Sequence, residues 1–96
     1  MTVYIIAQLK FTRREFYDRY QARFAGVFAA FKGRVLVADE HARVLEGNWP
    51  RDKIVILEFP DEAAATAFHE SPEYGAIAVD RKAGAEAVVV MARGLR

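Results

Sequence analysis

The 96 residues suit one domain, residues 1–96, and a hydrophobic share of 53% is more than so small a core hides, which favours a partner subunit over an isolated chain. Fourteen basic and thirteen acidic side chains give a net charge of +1, so there is no single-sign field to attract nucleic acid or anionic lipid. The absence of cysteine excludes disulfides, thiol nucleophiles, iron–sulfur clusters and cysteine-based zinc sites.

The first predicted element is a strand over residues 3–10, rich in β-branched and aromatic side chains and apolar on both alternating sets. A strand of this kind is usually covered on both faces of its sheet. No basic leader precedes it, and its apolar run is too short for a signal peptide or a membrane span. We therefore expect a cytoplasmic protein with no membrane partner.

A capping box predicts the start of the first helix. Thr12 and Glu15 have the S/T-x-x-E spacing in which each side chain bonds the other's free backbone N–H, so the helix is expected to begin at Arg13. Gly33 is the expected end of this helix. Apolar residues at three- and four-residue spacing form the stripe expected to pack on the sheet: Phe16, Tyr20, Phe24, Val27, Phe28 and Phe31.

Two further strands are predicted in the middle of the chain, with a long irregular connection between them. Residues 34–38 form the second strand. Residues 53–59 form the third, which is again apolar on both alternating sets except at Glu58. The connection is expected to contain a turn at residues 39–42 and a short extended piece at residues 43–45.

The last part of the chain predicts a divided helix and a final strand. Asp61 is a good N-cap, and Ser71 before Pro72 predicts a break at which a second helical segment begins. That segment is expected to end at Gly84. Residues 86–92 form the fourth predicted strand.

The element order β-α-β-β-α-β predicts a ferredoxin-like α+β fold, a four-stranded antiparallel sheet with helices on one face and the first and third strands at its centre. Both central strands are apolar on both sides, but the helices cover only one side. Each apolar side chain left in water forgoes about 1.5–3 kcal/mol, against a total stability of about 5–15 kcal/mol. We therefore expect a homodimer that pairs the open sheet faces.

Four segments carry a resemblance to a known family: Val44 to Gly47, Glu58 to Pro60, the alanine-rich helix and Ser71 to Tyr74. Through these segments the chain resembles, over nearly its whole length, the domain-of-unknown-function 1330 family, which is within the dimeric α+β barrel superfamily. The resemblance implies a homodimer with a cavity between the sheet and its own helices or at the subunit interface. Superfamily relatives include cofactor-free monooxygenases, haem-degrading enzymes, lactone isomerases and ligand-sensing domains, and no catalytic signature transfers residue by residue.

Two polar residues interrupt the apolar central strands and are candidate cavity residues. If Gln8 and Glu58 lie on the open face they enter the cavity, where a carboxylate could transfer a proton. Alternatively, Glu58 pairs with Arg34 or Lys53 near solvent.

Three other residues are candidate ligand contacts. His41 is either a general base near the sheet edge or an exposed turn residue, and its turn position favours exposure. Trp49 gates a pocket, anchors the other subunit or packs within its own loop. Tyr74 offers a phenol to a ligand or packs in the core, as its place in a helical stripe favours.

The remaining patterns disfavour several function classes. His41 and His69 have no second ligand at metal spacing, so no metal, haem or other cofactor is expected. Arg13 and Arg14 are interpreted as part of a solvated helix face. The sequence contains neither the motif of the RNA-binding proteins with this fold nor that of the acylphosphatases. We expect a homodimer with a small-molecule cavity and no assignable reaction. The alternative is a cofactor-free monooxygenase- or isomerase-like enzyme that acts on a small organic molecule, and the sequence leaves the choice open.

Overall fold

Residues 1–96 are described by the computed structural model, which contains four strands and three helices. The order confirms the predicted ferredoxin-like class, with the second helical region divided at Ser71. No helix combines the length and the apolar character that crossing a bilayer requires. The elements are β1 (Val3–Phe11), α1 (Arg14–Phe28), β2 (Arg34–Asp39), β3 (Lys53–Phe59), α2 (Glu62–His69), α3 (Pro72–Gly84) and β4 (Ala85–Arg93).

The four strands form one antiparallel sheet in the order β2-β3-β1-β4, so β1 and β3 are central, as predicted. The register between the two central strands places Val3 opposite Phe59 and Ile5 opposite Leu57. All four of these residues are buried against the helices. The alternate residues of each strand point to the other side, which no helix covers and which we call the open face.

The core lies between the sheet and the helices and is largely aromatic. Phe68 of α2 is 1% exposed and lies at its centre. Its ring centroid is 4.6–6.0 Å from those of five other aromatic residues: Phe24, Phe28, Phe31, Phe59 and Tyr74. Most of these contacts are edge-to-face, the geometry that aromatic pairs prefer over a face-to-face sandwich.

The start of α1 differs from the prediction. Arg13 is its N-cap, and Thr12 and Glu15 do not form the capping box. Instead, the carbonyl oxygen of Gly84 accepts hydrogen bonds from the backbone N–H groups of Thr12 and Arg13, at 2.9 and 3.1 Å. The Thr12 N–H that Glu15 would bond in a capping box is therefore already bonded to the end of α3.

The buried residues of α1 also differ in part from the predicted stripe. Tyr20 and Phe28 are buried as predicted, but Tyr17, outside the predicted stripe, is the innermost residue of α1. Phe16 is only partly buried and packs against the guanidinium groups of Arg13 and Arg19, which lie 4.5 and 4.4 Å from its ring centroid.

The end of α1 comes earlier than predicted, at Phe28. The backbone N–H of Phe31 donates to the carbonyl of Phe28 at 3.0 Å, a short-range bond that tightens the last turn. Gly33 does not have a positive φ. A Cβ at Gly33 would lie 2.5 Å from Phe28 Cζ and 2.7 Å from Phe59 Cε1, so this glycine allows close packing instead of ending the helix.

Other boundaries agree with the predictions. Asp61 Oδ1 accepts from the backbone N–H of Ala64 at 2.8 Å, and Ser71 Oγ accepts from that of Tyr74 at 3.1 Å. Helix α3 ends at Gly84 as predicted. The expected extended piece at residues 43–45 forms no strand, because nothing pairs with it in the sheet.

Gly84→Ala is expected to destabilise the fold. The new Cβ would lie 2.5 Å from the Tyr17 nitrogen and 2.7 Å from the Arg13 oxygen, and these backbone atoms cannot rotate away. We expect the free energy of unfolding, measured by urea denaturation, to fall by about 1–3 kcal/mol.

Gly75→Ala is the matched control in the same helix. Nothing lies within 4 Å of a Cβ at this position, so alanine should raise the free energy of unfolding by about 0.4–1 kcal/mol. Equal effects of the two substitutions would contradict the close approach of α1 to the end of α3.

Candidate functional site

The open face carries a row of four apolar side chains, one from each strand. The registers place Val37 opposite Ile56, Ile56 opposite Ile6, and Ile6 opposite Val90. We call these four residues the apolar row. Val90 is 49% exposed, although its side chain is hydrophobic. The other three residues are partly buried. The row therefore forms a hydrophobic centre of the open face that no helix covers.

Two of the predicted site residues meet at one end of the open face. The indole N–H of Trp49 donates to Gln8 Oε1 at 3.3 Å. Trp49 belongs to the connection between β2 and β3, so this connection folds over the end of β1. Both residues are partly buried.

Glu58 lies at the other end of the open face, beside Tyr4 of β1. Arg34 of β2 donates from Nε and Nη2 to Glu58 Oε1, at 2.9 and 2.6 Å. The structure therefore contains the Arg34 pairing that the sequence offered as one alternative. Glu58 and Gln8 share a face but do not meet.

His41 and Tyr74 lie in other parts of the molecule. His41 is in an exposed turn, where its backbone N–H donates to Asp39 Oδ1 at 2.7 Å. Tyr74 is buried on the covered side of the sheet, with its hydroxyl oxygen 3.0 Å from that of Tyr20. Burial raises the pKa of Tyr20, and Tyr74 adds to the rise. The five residues proposed from the sequence thus do not converge on one site.

A cleft between α1 and the sheet is the most apolar cavity on the covered side. Its volume is about 150 Å³, and it opens at the edge strand β2, where Val35 is 48% exposed. We call it the α1 cleft. Seven hydrophobic and two polar residues line it: Tyr17, Tyr20, Phe24, Ala25, Val35, Ala38 and Val55, with Gln21 and Lys53.

Lys53 is the unusual residue of the α1 cleft. It is on the same side of β3 as Val55 and Leu57, facing the helices, and only 4% of it is exposed. Its Nζ donates to Gln21 Oε1 at 3.2 Å and lies 5.0 Å from the centroid of the Tyr17 ring. Burial lowers the pKa of Lys53, because desolvation disfavours the charged amine.

Burial also raises the pKa of Tyr17 to about 12. This phenol therefore stays neutral near physiological pH. Lys53 is therefore the residue of the cleft that can provide a charged hydrogen-bond donor to a ligand.

Glu40 provides the nearest carboxylate, with Oε2 3.8 Å from Lys53 Nζ. Arg14 holds the same carboxylate with two hydrogen bonds, from Nη1 to Oε1 at 2.8 Å and from Nη2 to Oε2 at 3.0 Å. This bidentate bond lowers the pKa of Glu40. Arg14 is partly accessible to solvent, as the sequence predicted, but it also competes with Lys53 for one carboxylate.

Sequence reasoning missed Lys53 as a site residue, although a signal was present. Lysine at position 53 is in phase with Val55, Leu57 and Phe59, the set that faces the core. A lysine is rarely buried, so its position among the core-facing residues of a central strand could have marked Lys53 as a candidate site residue. Tyr17 and Tyr20 carry no such signal, because aromatic residues on an inner helix face usually serve packing.

The fold and the two faces of the sheet define a ferredoxin-like α+β domain with an uncovered apolar face and a cleft under its helices. The family model for a domain of unknown function, DUF1330, matches residues 2–95, and the chain belongs to this family. No match is found among curated proteins.

Several solved structures share the fold. A protein of unknown function from Rhodopseudomonas palustris has a TM-score of 0.81 at 19% identity, over 99% of this chain and 83% of the other. A dimeric ferredoxin-like protein of unknown function from Jannaschia sp. CCS1 has a TM-score of 0.77 at 15% identity, over 98% and 100%. SnoaB, a cofactor-independent oxygenase from Streptomyces nogalater, has a TM-score of 0.72 at 14% identity, over 99% and 94%. At these identities the similarity is one of fold.

Lys53→Met is expected to show the effect of the buried amine on stability. At pH values below the lowered pKa of Lys53, folding must desolvate a charged amine. Removing Lys53 leaves no unpaired carboxylate, because Arg14 still holds Glu40 with two hydrogen bonds. We therefore expect Lys53→Met to raise the free energy of unfolding near neutral pH by about 1 kcal/mol.

The sign of the pH dependence follows from the lowered pKa. As pH rises toward the usual lysine value of about 10.5, the folded protein loses the Lys53 proton before the unfolded chain does, so the wild type gains stability relative to the variant. Urea denaturation of both proteins between neutral pH and about pH 10 should show the difference shrinking. Lys32→Met, at an exposed position, should show no such trend. A constant difference for Lys53→Met would contradict the burial effect.

Proposed function

We propose that the protein is a homodimer that binds a small aromatic molecule with a phenol or enol oxygen in the α1 cleft of each subunit. The observation that carries the proposal is the buried Lys53 amine in an otherwise apolar cleft. Ligand pockets are usually apolar with a few placed polar groups that orient the ligand.

The size of the cleft limits its ligand. A closed apolar cavity of about 150 Å³ in another protein accommodates benzene, and the α1 cleft has a volume of about 150 Å³. One ring therefore fills it. Aromatic walls from Tyr17, Tyr20 and Phe24 suit a flat ring, while Lys53 and Gln21 suit a polar substituent on that ring.

The apolar row supports the homodimer. Its four side chains are valine and isoleucine, on the side of the sheet that has no helix, and none of them is fully buried. A second copy of the same face is self-complementary in a two-fold dimer, which is the commonest assembly of soluble proteins. The Jannaschia protein of the same fold is described as dimeric. A cytoplasmic location is part of the proposal, since the cysteine-free composition does not require an oxidising compartment.

The residues proposed from the sequence take different roles in this dimer. We assign Gln8, Trp49 and Glu58 to the borders of the interface, because they lie at the two ends of the open face. Tyr74 orients Tyr20 in the wall of the α1 cleft through their hydroxyl contact. His41 is exposed in its turn and has no assigned role.

A second candidate function is a cofactor-free oxygenase- or isomerase-like reaction on the same ligand class. The specific observation in its favour is Lys53, whose lowered pKa lets the amine take or return a proton. SnoaB shows that an oxygenase can have this fold, but at 14% identity the similarity does not extend to its reaction. Binding with transfer of a proton is the step that both candidates share.

Ile56→Lys is expected to break the dimer. The substitution places a charge in the middle of the apolar row, where pairing would desolvate it. Sedimentation analysis at micromolar concentration should show a dimer for the wild type and a folded monomer for the variant, with dimer affinity weakened by about 100-fold or more.

Val79→Lys is the control, because Val79 is an equally hydrophobic residue that is 66% exposed on α3. This variant should stay dimeric. A wild-type protein that is monomeric at hundreds of micromolar would overturn the proposed dimer.

Binding of 4-nitrophenol tests the α1 cleft, since its ring fits the proposed ligand class and its visible absorbance reports ionisation. We expect saturable binding with a larger phenolate fraction than in free solution, because Lys53 lines the cleft and its ammonium form would bond the anion. Lys53→Met should keep ring binding but lose the shift toward phenolate.

Ala25→Leu and Ala22→Leu form a matched pair for the same test. Ala25 lines the α1 cleft, whereas Ala22 is exposed on the same helix outside it. Leucine at position 25 should weaken 4-nitrophenol binding by about tenfold or more, and leucine at position 22 should leave it unchanged. Equal affinities of the two variants would contradict binding in the cleft.

A further inference from the structure

Arg81 of α3 is a buried cation that the α1 cleft does not use. Only 8% of Arg81 is exposed, and it lies on the inner side of α3 with Ile77 and Ala78. No group of the chain accepts a hydrogen bond from its buried Nε. The ion pairs of the chain are made by other residues. Because a buried charge is costly unless it is paired, this guanidinium is suited to an external anion.

A groove between α3 and β4 gives access to Arg81. Its volume is about 520 Å³, and we call it the β4 groove. One wall is basic, with Arg81 in the interior and two exposed residues, His69 and Lys82, at the rim. Its floor consists of three small apolar residues of β4: Ala85, Ala87 and Val89.

The one acidic residue at the groove does not neutralise Arg81. Glu86 is opposite Lys10 in the register of β4 with β1 and is in phase with Val88 and Val90, which belong to the open face. Glu86 lines the groove but makes no ion pair with Arg81. The cationic wall of the groove keeps its charge.

We propose that the β4 groove binds the carboxylate of a small organic acid, with the apolar part of the ligand on Ala87 and Val89. A guanidinium presents parallel N–H groups that match the two oxygens of a carboxylate. Lys82 at the rim adds cationic attraction. The apolar floor offers no donors for the outer oxygens of a phosphate, so the site favours an organic carboxylate over an inorganic anion.

This site and the α1 cleft have separate openings, although Arg81 is close enough for its charge to offset in part the raised pKa of Tyr17 and of Tyr20. The α1 cleft opens at β2, one edge of the sheet, whereas the groove follows β4, the opposite edge. Binding at Arg81 therefore does not rest on the proposed function of Lys53.

Benzoate is the probe for the test, because it combines a carboxylate with an apolar ring. Isothermal titration of the full-length protein should show saturable benzoate binding. Benzyl alcohol, which has the ring without the charge, and inorganic phosphate, which has charge without the ring, should each bind about tenfold more weakly or worse. Equal binding of benzoate and either control would overturn the proposal.

Arg81→Met tests the role of the guanidinium. The substitution removes an unpaired buried charge, so the variant is expected to fold with equal or higher stability. It should lose benzoate affinity by about tenfold or more, while Arg23→Met, at an exposed position on α1, should not. Benzoate binding that survives Arg81→Met would overturn the proposal.

Two further variants locate the bound benzoate without a change to Arg81. Ala87→Leu keeps Arg81 but fills the groove floor, and it should weaken benzoate binding. Ala25→Leu fills the α1 cleft and should leave benzoate binding unchanged. Loss of benzoate binding in Ala25→Leu with retention in Ala87→Leu would place benzoate in the α1 cleft and overturn the β4 site.

Discussion

The two central strands are apolar on both sides, but the chain has helices for only one side. On the covered side, residues such as Ile5, Leu57 and Phe59 are almost fully removed from water. On the open face, Ile6 and Ile56 form the middle of an apolar row that reaches both edges of the sheet. Since the burial of apolar area is the main stabilising force in folding and association, this asymmetry divides the molecule into a core and a surface suited to a second copy.

The covered side is not uniformly apolar, and its exceptions are the chemically interesting residues. Lys53 on β3 and Arg81 on α3 are both buried cations. Lys53 shares the Glu40 carboxylate with Arg14, whereas Arg81 has no protein carboxylate. A buried charge reduces stability unless it is paired, and for this reason the unpartnered Arg81 is the residue on which the proposed carboxylate site rests.

Local signals predicted most of the element boundaries, and the failures have a common cause. Asp61 and Ser71 cap their helices as predicted, because each side chain bonds a backbone N–H only three residues away. The capping box at Thr12 was wrong: the Thr12 N–H, which Glu15 would have bonded, instead donates to the carbonyl of Gly84, 72 residues along the chain. Candidate site residues were harder to predict, since Gln8 and Glu58 do share a face but lie at its two ends.

The amino-acid sequence by itself determined the class of fold, the central strands and the excess of apolar surface, because alternation and capping are properties of neighbouring residues. Only the tertiary structure decided which polar groups meet. It joined Trp49 to Gln8, Arg34 to Glu58 and Lys53 to Gln21, and it left Arg81 without a carboxylate. These contacts depend on strand register and on the distance between helices and sheet, and both are set by the packing of the whole core.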